Sequence, residues 1–178
     1  MNTTPFFGLS VLLSFVAFGI VTRLYLSPRL RVMRRQDALT ALVVPHTFRF
    51  IGLSMLIPGV VAPSLPAAFA VPAAYGDLGA TLLAIVAVAA LSAGRSWALP
   101  VVWVFNLWGT ADLLFAFYQG VIGVRINPGW LGAAYFVPTV LVPVFLITHG
   151  LIFGLVLRRL PSIAARPVTT RLAEQTGS

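Results

Sequence analysis

Residues 131–157 read LGAAYFVPTVLVPVFLITHGLIFGLVL, twenty-seven positions without an Asp, Glu, Lys or Arg. Wound as a helix rising 1.5 Å per residue, such a run reaches about 40 Å, beyond the ~30 Å hydrocarbon core of a bilayer. A single imidazole, His149, interrupts its second half. Four further apolar segments of similar reach precede it, at 5–26, 38–61, 73–92 and 98–119. The reading is an all-α, polytopic integral membrane helix bundle of about five spans. It forms one membrane domain over 1–157, followed by a short basic cytoplasmic tail at 158–178.

Composition agrees with that reading. Of 178 residues, 59% are hydrophobic and 9% charged, with a mean hydropathy of +0.97. Soluble domains average roughly 25% charged residues, so this chain has too little polar surface to cover itself in water. The net charge of +8 comes entirely from Arg. A nucleic-acid binder gathers such charge on one face, whereas here most of it lies between apolar runs, so no nucleic-acid partner is expected. The absence of Cys excludes disulfides, thiolate metal sites and thiol catalysis.

The arginines orient the bundle. Arg23, Arg29, Arg31, Arg34, Arg35, Arg95, Arg158, Arg159, Arg166 and Arg171 fall on one side, and Arg125 alone on the other. By the positive-inside rule the N-terminus is outside and the C-terminus inside. The first segment has no basic residues ahead of it and no small-residue cleavage site, so it reads as a retained span. Without lipidation or sorting motifs, the expected location is a bacterial-type inner (plasma) membrane, with the lipid bilayer as first partner.

Between the second and third segments, APSLPAAFAVPAAYGD (62–77) carries Pro63, Pro66 and Pro72. It reads as an apolar connection lying at the interface, with a short re-entrant dip as the alternative. Gly76, Ala80 and Ala84 recur every four residues, a small-residue stripe that suits close helix contact, within the bundle or with a second copy or partner subunit. Pro138 and Pro143 are expected to kink the fifth segment. Trp97 and Trp130 suit interfacial anchors, while Trp103, Trp108, Tyr118 and Tyr135 read as packing or pocket-lining residues.

Ionisable groups deep in a span are costly and demand a partner or a function. Four qualify: His46 and Arg49 in the second segment, Asp112 in the fourth and His149 in the fifth. Counted from the inner side, His46 and His149 lie ~12 Å deep, Arg49 ~16 Å and Asp112 ~19 Å. His46 and Arg49 are three residues apart and share a helix side. Small residues around Asp112, including Gly109 and Ala116, admit a neighbouring helix that bears Arg49. Asn106, elsewhere on that helix, reads as a separate interhelical hydrogen bond.

Several chemistries remain open for the cluster His46, Arg49, Asp112 and His149. An Arg49–Asp112 ion pair locks helix register, or it binds a small ligand or carries a proton, as in a permease or an accessory subunit. His46 and His149 are candidate axial ligands of a b-type haem, with Gly52, Gly150 and Gly154 leaving room for a flat ring. A metal set of His46, His149 and Asp112 has suitable donors but no diagnostic spacing. As an acid–base enzyme acting on an apolar substrate, the chain would use Asp112 or His46 as its catalytic group.

Overall fold

The structure is a computed structural model and describes residues 3–157. It is all-helical, with no strands among the described residues. The basic tail expected at 158–178 lies outside them. Five helices are long and apolar enough to cross a membrane by length and composition: α1 (Thr4–Val32), α2 (Arg35–Leu56), α3 (Ala67–Ser92), α4 (Ala98–Gly123) and α5 (Val137–Leu157). Helices α2, α3 and α4 pack side by side in that order, and α5 closes against α2 and α4. Helix α1 leans on α5 from outside, with nothing buried between Thr4 and Val21.

The outer surface is apolar, and a few charged and polar side chains sit within a mostly apolar core. Large apolar side chains such as Leu12, Leu82, Leu114 and Phe136 stand 55–64% exposed, while Arg49, His46 and His149 are at 0–1%. The core between the helices is built largely from small residues. Ala74, Ala80, Ala84, Ala87 and Ala90 of α3 are all at most 1% exposed, and this brings α2 and α4 close to the α3 backbone. The Gly76, Ala80, Ala84 stripe, expected to make close helix contact, packs within the bundle. Ala80 and Ala84 are fully buried among its own helices, and Gly76 abuts Asp112.

Two boundaries differ from expectation. The connection read at 62–77 is shorter, because α3 begins at Ala67 and runs through Pro72 without interruption. Pro66 sits at the N-cap, Pro72 forgoes one early backbone bond, and the surrounding alanines are strong enough helix formers to absorb it. At the other boundary, the fifth helix begins at Val137 and not at 131. Residues Pro128–Tyr135 form a separate 3-10 piece broken at Gly132, whose φ is +51°. There the Ala133 N–H donates to Val60 O and the Ala62 N–H to Trp130 O, both at 2.9 Å. This ties the piece across the end of the bundle to the α2–α3 connection.

Helix α2 changes character along its length. Arg35–Val43 is α-helical, and Val44–Leu56 is a 13-residue 3-10 helix. Runs beyond three or four residues are uncommon for this form. With three residues per turn, positions three apart eclipse one another. His46, Arg49, Gly52 and Met55 therefore share one buried stripe. In α5, Pro138 lies within a wide π-helical turn, Val137–Leu141, and Pro143 follows it where regular helix resumes at Val142.

Candidate functional site

Arg49 is the centre of the site, and its side chain is completely buried. Its Nε donates to Asp77 Oδ1 at 2.7 Å and its Nη2 to Asp112 Oδ2 at 2.6 Å. Its Nη1 donates to the Gly109 carbonyl at 3.2 Å and faces His149 Nε2 at 3.4 Å. The Phe145 ring lies beneath the guanidinium, 5.6 Å from Cζ to ring centroid. One fixed cation thus joins α2 to α3, α4 and α5.

Each contact is made possible by a missing side chain. A Cβ on Gly52 would overlap the Asp77 carboxylate, and one on Gly76 would overlap that of Asp112. A Cβ on Gly109 would come within 2.6 Å of the His149 ring and 2.8 Å of Arg49 Nη1. The three glycines belong to α2, α3 and α4, so the cluster is accommodated by close backbone approach on every side.

The hydrogen bonds fix the tautomer of His149. Arginine only donates, so His149 Nε2 must accept. Its Nδ1–H then donates to Asn106 Oδ1 at 2.7 Å, while Asn106 Nδ2 donates to the His149 carbonyl at 3.4 Å. Asn106 does bond between helices, as expected, but it belongs to the cluster and does not stand apart from it. His46 lies one layer further in. Its Nε2 is 2.9 Å from Thr148 Oγ1, whose hydroxyl bonds back to the Val144 and Phe145 carbonyls. His46 Nδ1 is buried and has no partner.

Of the four groups singled out from sequence, all converge, and Arg49 and Asp112 pair directly. Asp77 was missed because it was assigned to the end of a Pro-rich connection. The signal that finds it is its spacing to Ala80, Thr81 and Ala84, which puts it on the same small-residue face of α3. Two alternatives for the histidines do not fit this geometry. The His46 and His149 ring centroids are 4.3 Å apart and the rings are in contact. Axial ligands on opposite faces of a haem need the macrocycle between them, and here there is no slot for one. Nor do His46, His149 and Asp112 form a metal set: among the described residues no three His, Cys, Asp or Glu side chains group as metal ligands.

A cavity of about 300 Å³ opens above the cluster, toward the end of the bundle that holds Thr4, Arg125 and Pro128. Phe7, Phe69, Leu113, Ala116, Phe117 and Val142 are among the residues that give it apolar walls, and Asp77 and Asp112 lie at its floor. Both carboxylates retain 11% side-chain exposure, whereas Arg49 behind them has none. None of Trp97, Trp103, Trp108, Trp130, Tyr118 or Tyr135 lines it. His46 does not line it either, so of the two catalytic candidates only Asp112 reaches the space. Below the cluster the bundle is closed by an apolar plug that includes Leu39, Leu42, Phe105 and Ile152. The site is therefore a blind pocket: apolar walls, a carboxylate floor, and no polar path onward past His46.

A family described as a domain of unknown function (DUF8737) matches residues 6–157, a stretch that takes in all five long helices apart from the first two residues of α1. The chain belongs to this family. No curated protein and no solved structure matches it. The DUF8737 match contains every residue of the cluster and of the cavity except Thr4. The geometry of the site is thus the main guide to what this DUF8737 chain does.

Proposed function

We propose that this chain is a small multi-pass membrane protein, N-terminus out and C-terminus in, that holds a small ligand or a proton at Arg49, Asp77 and Asp112. The apolar outer surface and the five long apolar helices support bilayer residence. The ten-to-one Arg asymmetry supports the orientation, in a bacterial-type inner membrane, and on that orientation the cavity opens outward. The observation that carries the functional reading is the charge count on the cavity floor. One guanidinium faces two carboxylates, so with both ionised the cluster holds one negative charge in excess. A buried charge of this kind is strongly disfavoured unless a proton or a cationic group balances it. An ion pair that served only to lock helices would be met by one carboxylate and would have no need of a cavity.

Two measurements on the full chain test this reading. Native mass spectrometry of protein in nanodiscs should show a small molecule that is lost from the cavity-filling variant Ala116→Phe. Alternatively, a pH jump across reconstituted liposomes should produce a capacitive proton uptake that Asp112→Asn removes. Neither signal in well-folded protein would reduce the cluster to a register lock between helices. The conversion of an apolar substrate by acid–base chemistry at Asp112 is a narrower form of the same reading, since it too needs the cavity filled.

A further inference from the structure

The shape and polarity of the cavity narrow the ligand class, on the premise that the site binds a ligand at all. An apolar cavity of 150 Å³ accommodates benzene, so one of about 300 Å³ accommodates on the order of ten to twelve non-hydrogen atoms. Its walls offer hydrocarbon and aromatic surface. Its floor offers acceptors only, because the Arg49 donors are turned to Asp77, Asp112, Gly109 and His149 and lie behind the carboxylates. An anion entering from the cavity would meet carboxylate oxygens before any donor of Arg49. A neutral hydrocarbon would desolvate them further and leave the excess negative charge unbalanced. A cationic donor satisfies both demands and cancels the charge excess.

Arg125 also borders the cavity and has the opposite sign. It is exposed, stands in the left-handed region at φ +57°, and donates from Nε to the Ile122 carbonyl at 3.2 Å. Solvent screens a charge so placed far more than it screens the largely buried carboxylates. The floor, and not the rim, therefore sets the preference for ligand charge.

We propose that the cavity binds a small apolar monoamine, its ammonium seated on Asp77 and Asp112 and its hydrocarbon body between Phe69, Leu113, Ala116 and Phe117. Charged ammonium-to-carboxylate hydrogen bonds are about twice as strong as neutral ones, and a low-dielectric floor strengthens them further. The alcohol of the same skeleton fills the same walls without that gain.

The test uses three probes of one skeleton, 4-phenylbutylamine, 4-phenylbutanol and 4-phenylbutanoate, titrated calorimetrically into the full chain in nanodiscs against empty nanodiscs. The amine should bind saturably and at least tenfold more tightly than the alcohol, and the carboxylate should not bind saturably. Asp112→Asn and Asp77→Asn should each weaken the amine tenfold or more and leave the alcohol within twofold. Ala116→Phe, which leaves the ion pairs untouched, should abolish saturable binding of amine and alcohol alike; it carries the test if the Asp variants fail to fold. Equal affinity of amine and alcohol, preference for the carboxylate, or an amine preference that survives Ala116→Phe would overturn the proposal. If the amine fails while the co-purifying molecule or the proton uptake persists, the ligand class is wrong and the site stands. If all three are lost, the site reading falls with it.

Discussion

Arg49 and Asp77, twenty-eight residues apart and on adjacent antiparallel helices, are joined by a 2.7 Å Nε–Oδ1 hydrogen bond in which the guanidinium side is wholly buried. Asp112 closes on the same guanidinium from the other flank. The arrangement is asymmetric in charge, and that asymmetry makes the response to substitution unequal.

Removal of Arg49 is the most damaging change. Arg49→Met leaves two carboxylates facing each other in the core, and breaking a buried pair in this way costs about 3–5 kcal/mol. The variant should lose monodisperse protein on size-exclusion chromatography in mild detergent. Arg49→Lys should recover part of the loss, since one ammonium cannot present the planar fork that reaches both carboxylates. Recovery to wild-type thermal stability in the Lys variant would refute the bridging role.

Neutralising one carboxylate is milder, because a one-to-one pair survives. Asp77→Asn and Asp112→Asn should each cost about 1–3 kcal/mol, the scale of one impaired buried hydrogen bond. The double variant strands Arg49 and should cost more than the sum of the two. A double-mutant cycle on detergent unfolding measures the coupling, and additivity would show that the two carboxylates do not share the guanidinium.

The three glycines around the cluster give a prediction with internal controls. Gly52→Ala, Gly76→Ala and Gly109→Ala push a methyl group into Asp77, Asp112 or the His149–Arg49 contact. Each should destabilise by about 1–3 kcal/mol, the usual cost of overpacking. Gly8→Ala and Gly150→Ala meet nothing within 4 Å and should be neutral or stabilising by up to about 1 kcal/mol, as expected in a helix. Thermal unfolding of the five variants side by side distinguishes packing from helix propensity.

The His149 tautomer is open to direct spectroscopic test. Side-chain 15N shifts should place the proton on Nδ1, held by Asn106 Oδ1. In Asn106→Leu that partner disappears and the shifts should change, whereas Thr148→Val should leave His149 alone and alter His46. An unprotonated Nδ1 on His149 in the wild-type chain would contradict the network as described.

The sequence made the helical character and most of the cluster readable, and for one reason: ionisable residues are rare in this chain, so depth along an apolar run locates them. Depth and the small residues beside Asp112 pair it with Arg49, and depth puts the two histidines at one level. Depth says nothing about rotation, however. That the His46 and His149 rings lie in contact, with no slot between them for a flat macrocycle, is visible only once α2 and α5 are set against each other. Asp77 escaped because proline punctuation near Pro63, Pro66 and Pro72 outweighed an alanine-rich helix signal. The start of α5 was misplaced because nothing in an unbroken apolar run marks Gly132 as the residue held at positive φ against Val60.

The winding of α2 has a further consequence. Its stripe of His46, Arg49, Gly52 and Met55 depends on three residues per turn; rewound as α-helix, each three-residue step would lag by about 60°, and Met55 would end half a turn from His46. The same rewinding would shorten Val44–Leu56 by about 6 Å, at roughly 0.5 Å for each of its residue steps. Length and rotation are thus geared together in this segment. Any motion that draws its outer end inward also unscrews Gly52 from Asp77, so the floor of the cavity is threaded to the height of the helix that carries Arg49.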